Sequence, residues 1–218
     1  RGETWEDASV PPSETAFPRH NDPAGLLPYE PGDVEPGRVY RDVHWVMRHA
    51  TRPETFYAAT GKGTYRTDDG GRTWERLVEG LPVVYALLLA GHPVRPERLF
   101  LGAAGNNPPG WKGPRPARGG PYVSSRYARD LSEKLGGAKA VVFRSDDAGR
   151  SWRPLAGGLP VEHPYVVTGV QVHPRDPDTV VVSYADGSIY GTTDAGEHWE
   201  RVTVSYPKLY GVRLFVQP

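Results

Sequence analysis

Three stretches of this chain follow one pattern, Ser/Thr-x-Asp-x-Gly-x-x-Trp. Residues 67–74 read TDDGGRTW, residues 145–152 read SDDAGRSW and residues 192–199 read TTDAGEHW. Gly2-Glu3-Thr4-Trp5 matches the second half of the same pattern. The Trp-to-Trp spacings are 69, 78 and 47 residues. Self-similarity on this scale is the signature of arrays in which each unit buries its neighbour's face. A chain built this way is not expected to fold as a doubly wound sheet or a TIM barrel, and it shows no long helical periodicity.

The segments around the boxes repeat as well. His92-Pro93 and His173-Pro174 each stand three residues before a second proline, Pro96 and Pro177, and His49 and Pro53 keep the same outer spacing. Short apolar runs follow each second proline, and Gly-Leu-Pro follows two of the boxes at residues 80–82 and 158–160. Apolar runs of four to seven residues bounded by Gly, Pro and Asp read as strands. Inner strands are expected near 43–48, 84–90 and 166–172, and second strands near 55–60, 98–103 and 179–184. Third strands run into the boxes and fourth strands run out of them. Four short strands in about 45 residues make a propeller blade. The box is then a turn device. Its Asp accepts backbone N–H bonds, its Gly supplies a conformation that a Cβ disfavours, and its Trp fills space while placing an indole N–H.

On these residues the chain resembles the Asp-box (bacterial neuraminidase repeat) β-propellers, in particular their sialidase-like and glycosyl-hydrolase-like bacterial members. Relatives with this box include sialidases, xyloglucan hydrolases, sortilin-type receptors and a photosystem II assembly factor. The resemblance covers residues 2–5 and everything from about residue 42 onward. It implies an all-β propeller of four-stranded blades in which the box residues are structural: Thr67, Asp69, Gly71 and Trp74; Ser145, Asp147, Gly149 and Trp152; Thr192, Asp194, Gly196 and Trp199. Asp68-Asp69 and Asp146-Asp147 are accordingly not read as a catalytic acid and base.

The units expected are the end of a blade at 1–7, a Pro-rich connection at 8–40, blades at 41–78, 83–156 and 164–203, and a closing inner strand at 209–216. The count is three full blades with pieces at both ends. The expectation is the C-terminal part of a longer propeller, seven-bladed by resemblance. The missing blades come from the rest of the chain or from a second copy.

Composition narrows the partners. Lys plus Arg and Asp plus Glu are 26 each, so no global field points to nucleic acid. There is no Cys, which removes disulfides, thiol catalysis and Cys-ligated zinc and leaves the compartment open. No apolar run reaches the ~20 residues of a membrane-spanning helix. No cofactor is called for, and no His/Asp/Glu spacing marks a metal site.

The resemblance implies a ligand face opposite the boxes, where second-to-third-strand loops and blade entries meet. Three segments reach it. The insertion at 106–139 carries seven basic residues against two acids, a net +5 in a neutral chain. Its Trp111, Arg115, Arg118, Tyr122 and Arg126 combine Arg forks for an anion with aromatic platforms for a sugar. Residues 124–135 carry a short helical pattern. The structural alternative is a solvated decoration on the rim.

The Pro-rich segment is expected to bring His20 and Asp22 towards Asp42 and His44, a set suited to acid–base chemistry or to holding a metal. Ordinary turn chemistry and an Arg partner for Asp42 are the alternative. Tyr85, His163 and Tyr165 stand at the entries to inner strands, where rings suit sugars or simply pack. The Phe/Tyr-Arg-Ile-Pro motif of retaining sialidases is absent from these residues, and no carboxyl pair of the kind a glycosidase needs stands out. The expectation is a binding module for glycans or other polar, anionic ligands. Glycoside hydrolysis and protein scaffolding are the alternatives.

Overall fold

The computed structural model describes residues 37, 39–40, 42–83, 85–105 and 137–202. Their regular structure is twelve strands and no helix. The strands form three antiparallel sheets, each in sequence order. Blade A is β1 (Val43–Arg48), β2 (Phe56–Thr60), β3 (Gly63–Thr67) and β4 (Glu75–Leu77). Blade B is β5 (Tyr85–Gly91), β6 (Leu99–Ala104), β7 (Ala140–Ser145) and β8 (Arg153–Pro154). Blade C is β9 (Val167–Val172), β10 (Val180–Tyr184), β11 (Ile189–Thr192) and β12 (Glu200–Arg201). The chain is thus all-β, with the propeller architecture that the repeat implies. The expected inner and second strands lie within one or two residues of those observed. The expected strand at 210–216 and the half-box at 2–5 lie outside the described residues.

The register explains the repeat. Thr67 pairs with Phe56, Ser145 with Leu99 and Thr192 with Val180, so every box starts at the same rung. Each inner strand also carries a bulge near its entry, at His44, Leu87 and Thr168. A bulge adds local twist and re-aims a side chain, and bulges gather near functional sites.

The middle sheet, blade B, buries both of its faces because its neighbours are sheets of the same kind. One face of blade A, with Tyr57 and Ala59, packs against Leu99, Leu101 and Ala103 of blade B. The corresponding face of blade B, with Phe100 and Val142, packs against Val180, Val182 and Tyr184 of blade C. We call the face turned to the following blade trailing and the other leading. Burying one such side chain stabilises the fold by roughly 1.5–3 kcal/mol, so the blades depend on each other.

A latch repeats at every blade start. The box Trp N–H donates to a carbonyl of the segment that arrives from the preceding side: Trp74 to Gly37, Trp152 to Glu79 and Trp199 to Gly157, at 2.8, 3.0 and 2.7 Å. The residue after the acceptor in the last two is Gly80 and Gly158, both with positive φ. A Cβ there would lie 2.1 Å from the Trp152 or Trp199 carbonyl oxygen. This is why Gly-Leu-Pro recurs. The residue after those glycines is buried, as Leu81 and Leu159, and Val39 holds the same place before blade A.

Candidate functional site

The strand order sends the box turns and the His turns to one face of the array. Box polar groups there are occupied locally. Thr67, Ser145 and Thr192 donate to the first carboxylate oxygen of Asp69, Asp147 and Asp194, each at 2.7 Å. The same hydroxyls accept the N–H of Gly71, Gly149 and Gly196. The Asp closes the turn on residue seven. Asp69 accepts the N–H and hydroxyl of Thr73, Asp147 those of Ser151, and Asp194 the N–H and ring of His198.

These donors favour the ionised carboxylates. Thr73 holds Asp69 well below the usual carboxylate range, and the N–H of His198 does so for Asp194. Burial works against charge at Asp147, but the hydrogen bonds from Ser151, Ser145 and the Arg150 backbone together outweigh it and the net shift is downward. Trp74 and Trp199 donate their indole N–H to Gly71 and Gly196. The Trp152 indole N–H, unlike its backbone N–H, has no acceptor among the described residues. The adjacent acids are tied to cations, Asp68 to Arg66 and Asp146 to Arg98 and Arg144. Among the described residues, the box acids and their neighbours Asp68 and Asp146 are thus all engaged in their own turns or with Arg.

The His turns have a clear physical role. Nδ1 of His49 accepts the N–H groups of Thr51 and Arg52, that of His92 those of Val94 and Arg95, and that of His173 those of Arg175 and Asp176. The ring does what an Asx side chain does in a turn. Only a neutral Nδ1 can accept. Burial lowers the pKa of His49, with Arg52 and Arg66 adding to it. Burial also lowers that of His92, against the opposing charge of Asp178.

The opposite face carries two histidine clusters at the blade junctions. In the first, the His44 bulge directs Nδ1 to the Ala86 carbonyl of blade B at 2.5 Å. That contact requires a proton on Nδ1. Nε2 then faces Asp42, 3.4 Å away, and the ring lies 4.7 Å from that of Tyr85. Burial disfavours the charged ring, but the hydrogen bonds to Asp42 and Ala86 and the Asp42 charge prevail and raise its pKa. Burial, then the Asp42 charge, pushes the Tyr85 hydroxyl up. Asp42 remains half-exposed. Its N-terminal neighbourhood includes Tyr40, and both flank Gly61: a Cβ on Gly61 would meet Asp42 Oδ2 at 2.5 Å and Tyr40 Cε1 at 3.4 Å. The tight β2–β3 turn therefore leaves room for the carboxylate.

In the second cluster His163 stacks on Tyr184, with centroids 3.8 Å apart, and is bonded through its backbone to Ala140. Nδ1 accepts the Tyr165 N–H at 3.1 Å. Ser188 Oγ and Asp186 Oδ2 lie 3.4 and 3.7 Å from Nε2. Ser, His and Asp meet here, yet the wiring is not that of a nucleophilic triad. Both partners face the same ring nitrogen, Ser188 donates to Asp186 at 2.7 Å, and the hydroxyl is buried. Burial lowers the His163 pKa, so the ring is a neutral linker between blades.

Of the sequence candidates, the structure brings Asp42, His44 and Tyr85 together and puts His163 beside Tyr165 at the next junction. Trp111, Arg115, Arg118, Tyr122, Arg126, His20 and Asp22 lie outside the described residues. The insertion does fall between β6 and β7, where the other blades use turns of two to four residues. Sequence reading missed Tyr40, Tyr184, Asp186 and Ser188. Asp186-Gly187-Ser188 carried a turn signal but no sign of what would stand beside it. Among the described residues no group of three or more His, Cys, Asp or Glu could hold a metal ion.

Comparison with known proteins bears on the fold. The family model for the BNR/Asp-box repeat matches residues 65–76. An ancestral GH74 enzyme matches with a TM-score of 0.50 and 19% identity, covering 73% of this chain and 18% of that one. The GH74 xyloglucanase from Xanthomonas campestris matches with a TM-score of 0.52 and 16% identity, covering 75% and 22%. The chain thus spans about a fifth of the length of these enzymes. No curated protein matches it in sequence.

Proposed function

We propose that this chain, an Asp-box β-propeller by its repeats and its fold, is a binding module for glycans or other polar ligands, which it takes on the face opposite its boxes. One observation carries the reading. The box carboxylates are held within their own turns, whereas the Asp42 carboxylate stands half-exposed beside His44, Tyr40 and Tyr85. A carboxylate next to rings is a suitable receptor for sugar hydroxyls, because it accepts two hydrogen bonds while the rings cover C–H faces. The chain between β6 and β7 leaves and re-enters the sheet at the ends that bear this face, and on the proposal its Arg115, Arg118 and Trp111, which lie outside the described residues, are the candidates for anionic groups.

Hydrolysis is the reading of second rank. It needs two carboxyls flanking one bond. Asp42 and Asp186 are the carboxylates that the two clusters offer, at different blade junctions, and Asp186 already holds Ser188. A glycan array probed with the whole chain tests the proposal. The expected result is a bound glycan set whose signal falls at least about tenfold on Asp42→Ala, the loss typical of one charge-assisted hydrogen bond. Arg115→Ala and Arg118→Ala are expected to weaken acidic glycans selectively. No glycan bound, or binding untouched by all three changes, sinks it.

A further inference from the structure

The repeat singles out two residues of the first histidine cluster. Register equates Val43 with Ala86 and Val167, and each blade's bulge comes one residue later. His44 therefore stands where blades B and C carry Leu87 and Thr168, and Asp42 where they carry Tyr85 and Val166. A bulge of this kind asks for no histidine, and the position before it for no acid. Blade A departs from its sister blades at both positions together. The two side chains meet, with Nε2 of His44 3.4 Å from Oδ2 of Asp42.

The wiring of the ring limits what it can do. The Ala86 carbonyl can only accept, so Nδ1 keeps its proton in both charge states and the ring titrates at Nε2 alone. Nε2 is buried, whereas the Asp42 side chain is half-exposed. A ligand on this face feels the Nε2 proton through the carboxylate. His163 at the next junction is wired the other way, with Nδ1 accepting the Tyr165 N–H. Around the Asp42–His44 pair stand Tyr40 and Lys62, at the Gly61 turn, and Tyr85 of β5, whose ring lies against that of His44. Burial pushes the Tyr85 hydroxyl up, so it stays neutral. The charge among these groups that acts on His44 is that of Asp42.

We propose, on the reading that Asp42 receives a ligand, that His44 gates this binding: the ligand's hydroxyl donors take the carboxylate over from the protonated ring, and a proton leaves Nε2 as the ligand binds. While Nε2 holds that proton, Asp42 is half of an ion pair and a poor receptor for a neutral sugar. Once the proton is gone, the whole carboxylate charge faces the ligand. Affinity therefore rises with pH. The rise is up to about tenfold per pH unit between the His44 pKa of the complex and that of the free protein, and affinity is level on either side. Burial opposes the charged ring, but the bonds to Asp42 and Ala86 and the Asp42 charge hold the free value above about 6.5, so the upper edge of the window lies there.

An array of neutral glycans, which do not titrate themselves, tests this with the whole chain at about pH 5.5 and about pH 8.5. The expected result is a bound set whose signal is at least about fivefold higher at the upper pH. His44→Asn places an amide N–H where Nδ1 stands, so it keeps a donor for Ala86 but cannot titrate. Its signals should differ by less than about twofold between the two conditions, with the circular dichroism spectrum of the parent. Nuclear magnetic resonance of the imidazole nitrogens in the free chain is a second readout that needs no glycan. Neutral His44 should carry its proton on Nδ1, and Asp42→Asn should lower its titration midpoint by about one pH unit or more. Equal parent signals at both pH values overturn the gate and leave the reading of the site standing. No glycan bound at either pH overturns both. A neutral ring protonated on Nε2, or a midpoint that Asp42→Asn does not move, overturns the gate as well.

Discussion

Replacing Gly158 by Ala tests the blade latch. Gly158 has φ of 118°, and an added Cβ would sit 2.1 Å from the Trp199 carbonyl oxygen and 3.1 Å from its carbon. Neither neighbour is a flexible side-chain end, so the backbone must move by about 1 Å to restore ordinary contact. The conformation alone costs about 1–3 kcal/mol for a residue with a Cβ. Moving the segment also lengthens the 2.7 Å bond from the Trp199 N–H to Gly157, which contributes about 1 kcal/mol. The sum is about 2–4 kcal/mol, which for a chain of this size lowers Tm by roughly 4–16 °C. Gly191→Ala is the matched control. Its Cβ meets nothing within 4 Å and it sits in β11, where Ala is favoured over Gly by about 0.5–1 kcal/mol. Differential scanning calorimetry of both variants decides. A Gly158→Ala shift under about 2 °C, or equal shifts for the two, refutes the reasoning.

Three further predictions follow from the same contacts. Asp147→Ala removes the acceptor for Ser145 and for both donors of Ser151, and should cost about 1–2 kcal/mol, like the loss of a helix cap, after allowance for solvent screening; chemical denaturation reads it, and an unchanged midpoint would falsify a structural box. Stability should peak near pH 6.5. The lowered pKa values of His49 and His92 make their contribution complete above the unfolded value of about 6.5 and remove it as pH falls through the folded values. The raised pKa of His44 makes its contribution complete below that value and removes it as pH rises through the folded one. His92→Asn, whose amide oxygen can still accept the turn N–H groups, should flatten the acid limb; His44→Asn should flatten the alkaline limb. Denaturant midpoints from pH 4 to 9 check both, and variants with the parent's profile would contradict the assignments.

The fold was legible because each blade states its register twice, at the His turn and at the box. Short strands leave few alternatives once a box such as residues 145–152 fixes where β7 ends and β8 begins. The connections were less legible. Gly37 and Val39 take the places held by Glu79 and Leu81, yet no Gly-Leu-Pro stands there: Arg38, outside the described residues, holds the glycine's place, and Val39 supplies the buried aliphatic side chain. The site was legible in its residue types, not in its pairings. Asp42 and His44 stood close in sequence, but the Ala86 carbonyl that fixes the His44 ring belongs to another blade, 42 residues away. The Ser188–His163–Asp186 contact is equally non-local, and only its geometry separates a linker from a nucleophile. Asp68 and Asp146 show the reverse: adjacent acids invite a catalytic reading, and the Arg side chains beside them supply the ordinary explanation.

The central claim is that ligands meet the face opposite the boxes. Isothermal titration of the whole chain with a glycan it retains, comparing Asp42→Asn with the box-face change Arg95→Ala, tests this most directly. Asp42→Asn should weaken Kd at least about tenfold while Arg95→Ala leaves it within about twofold. Binding lost on Arg95→Ala and kept on Asp42→Asn would contradict it.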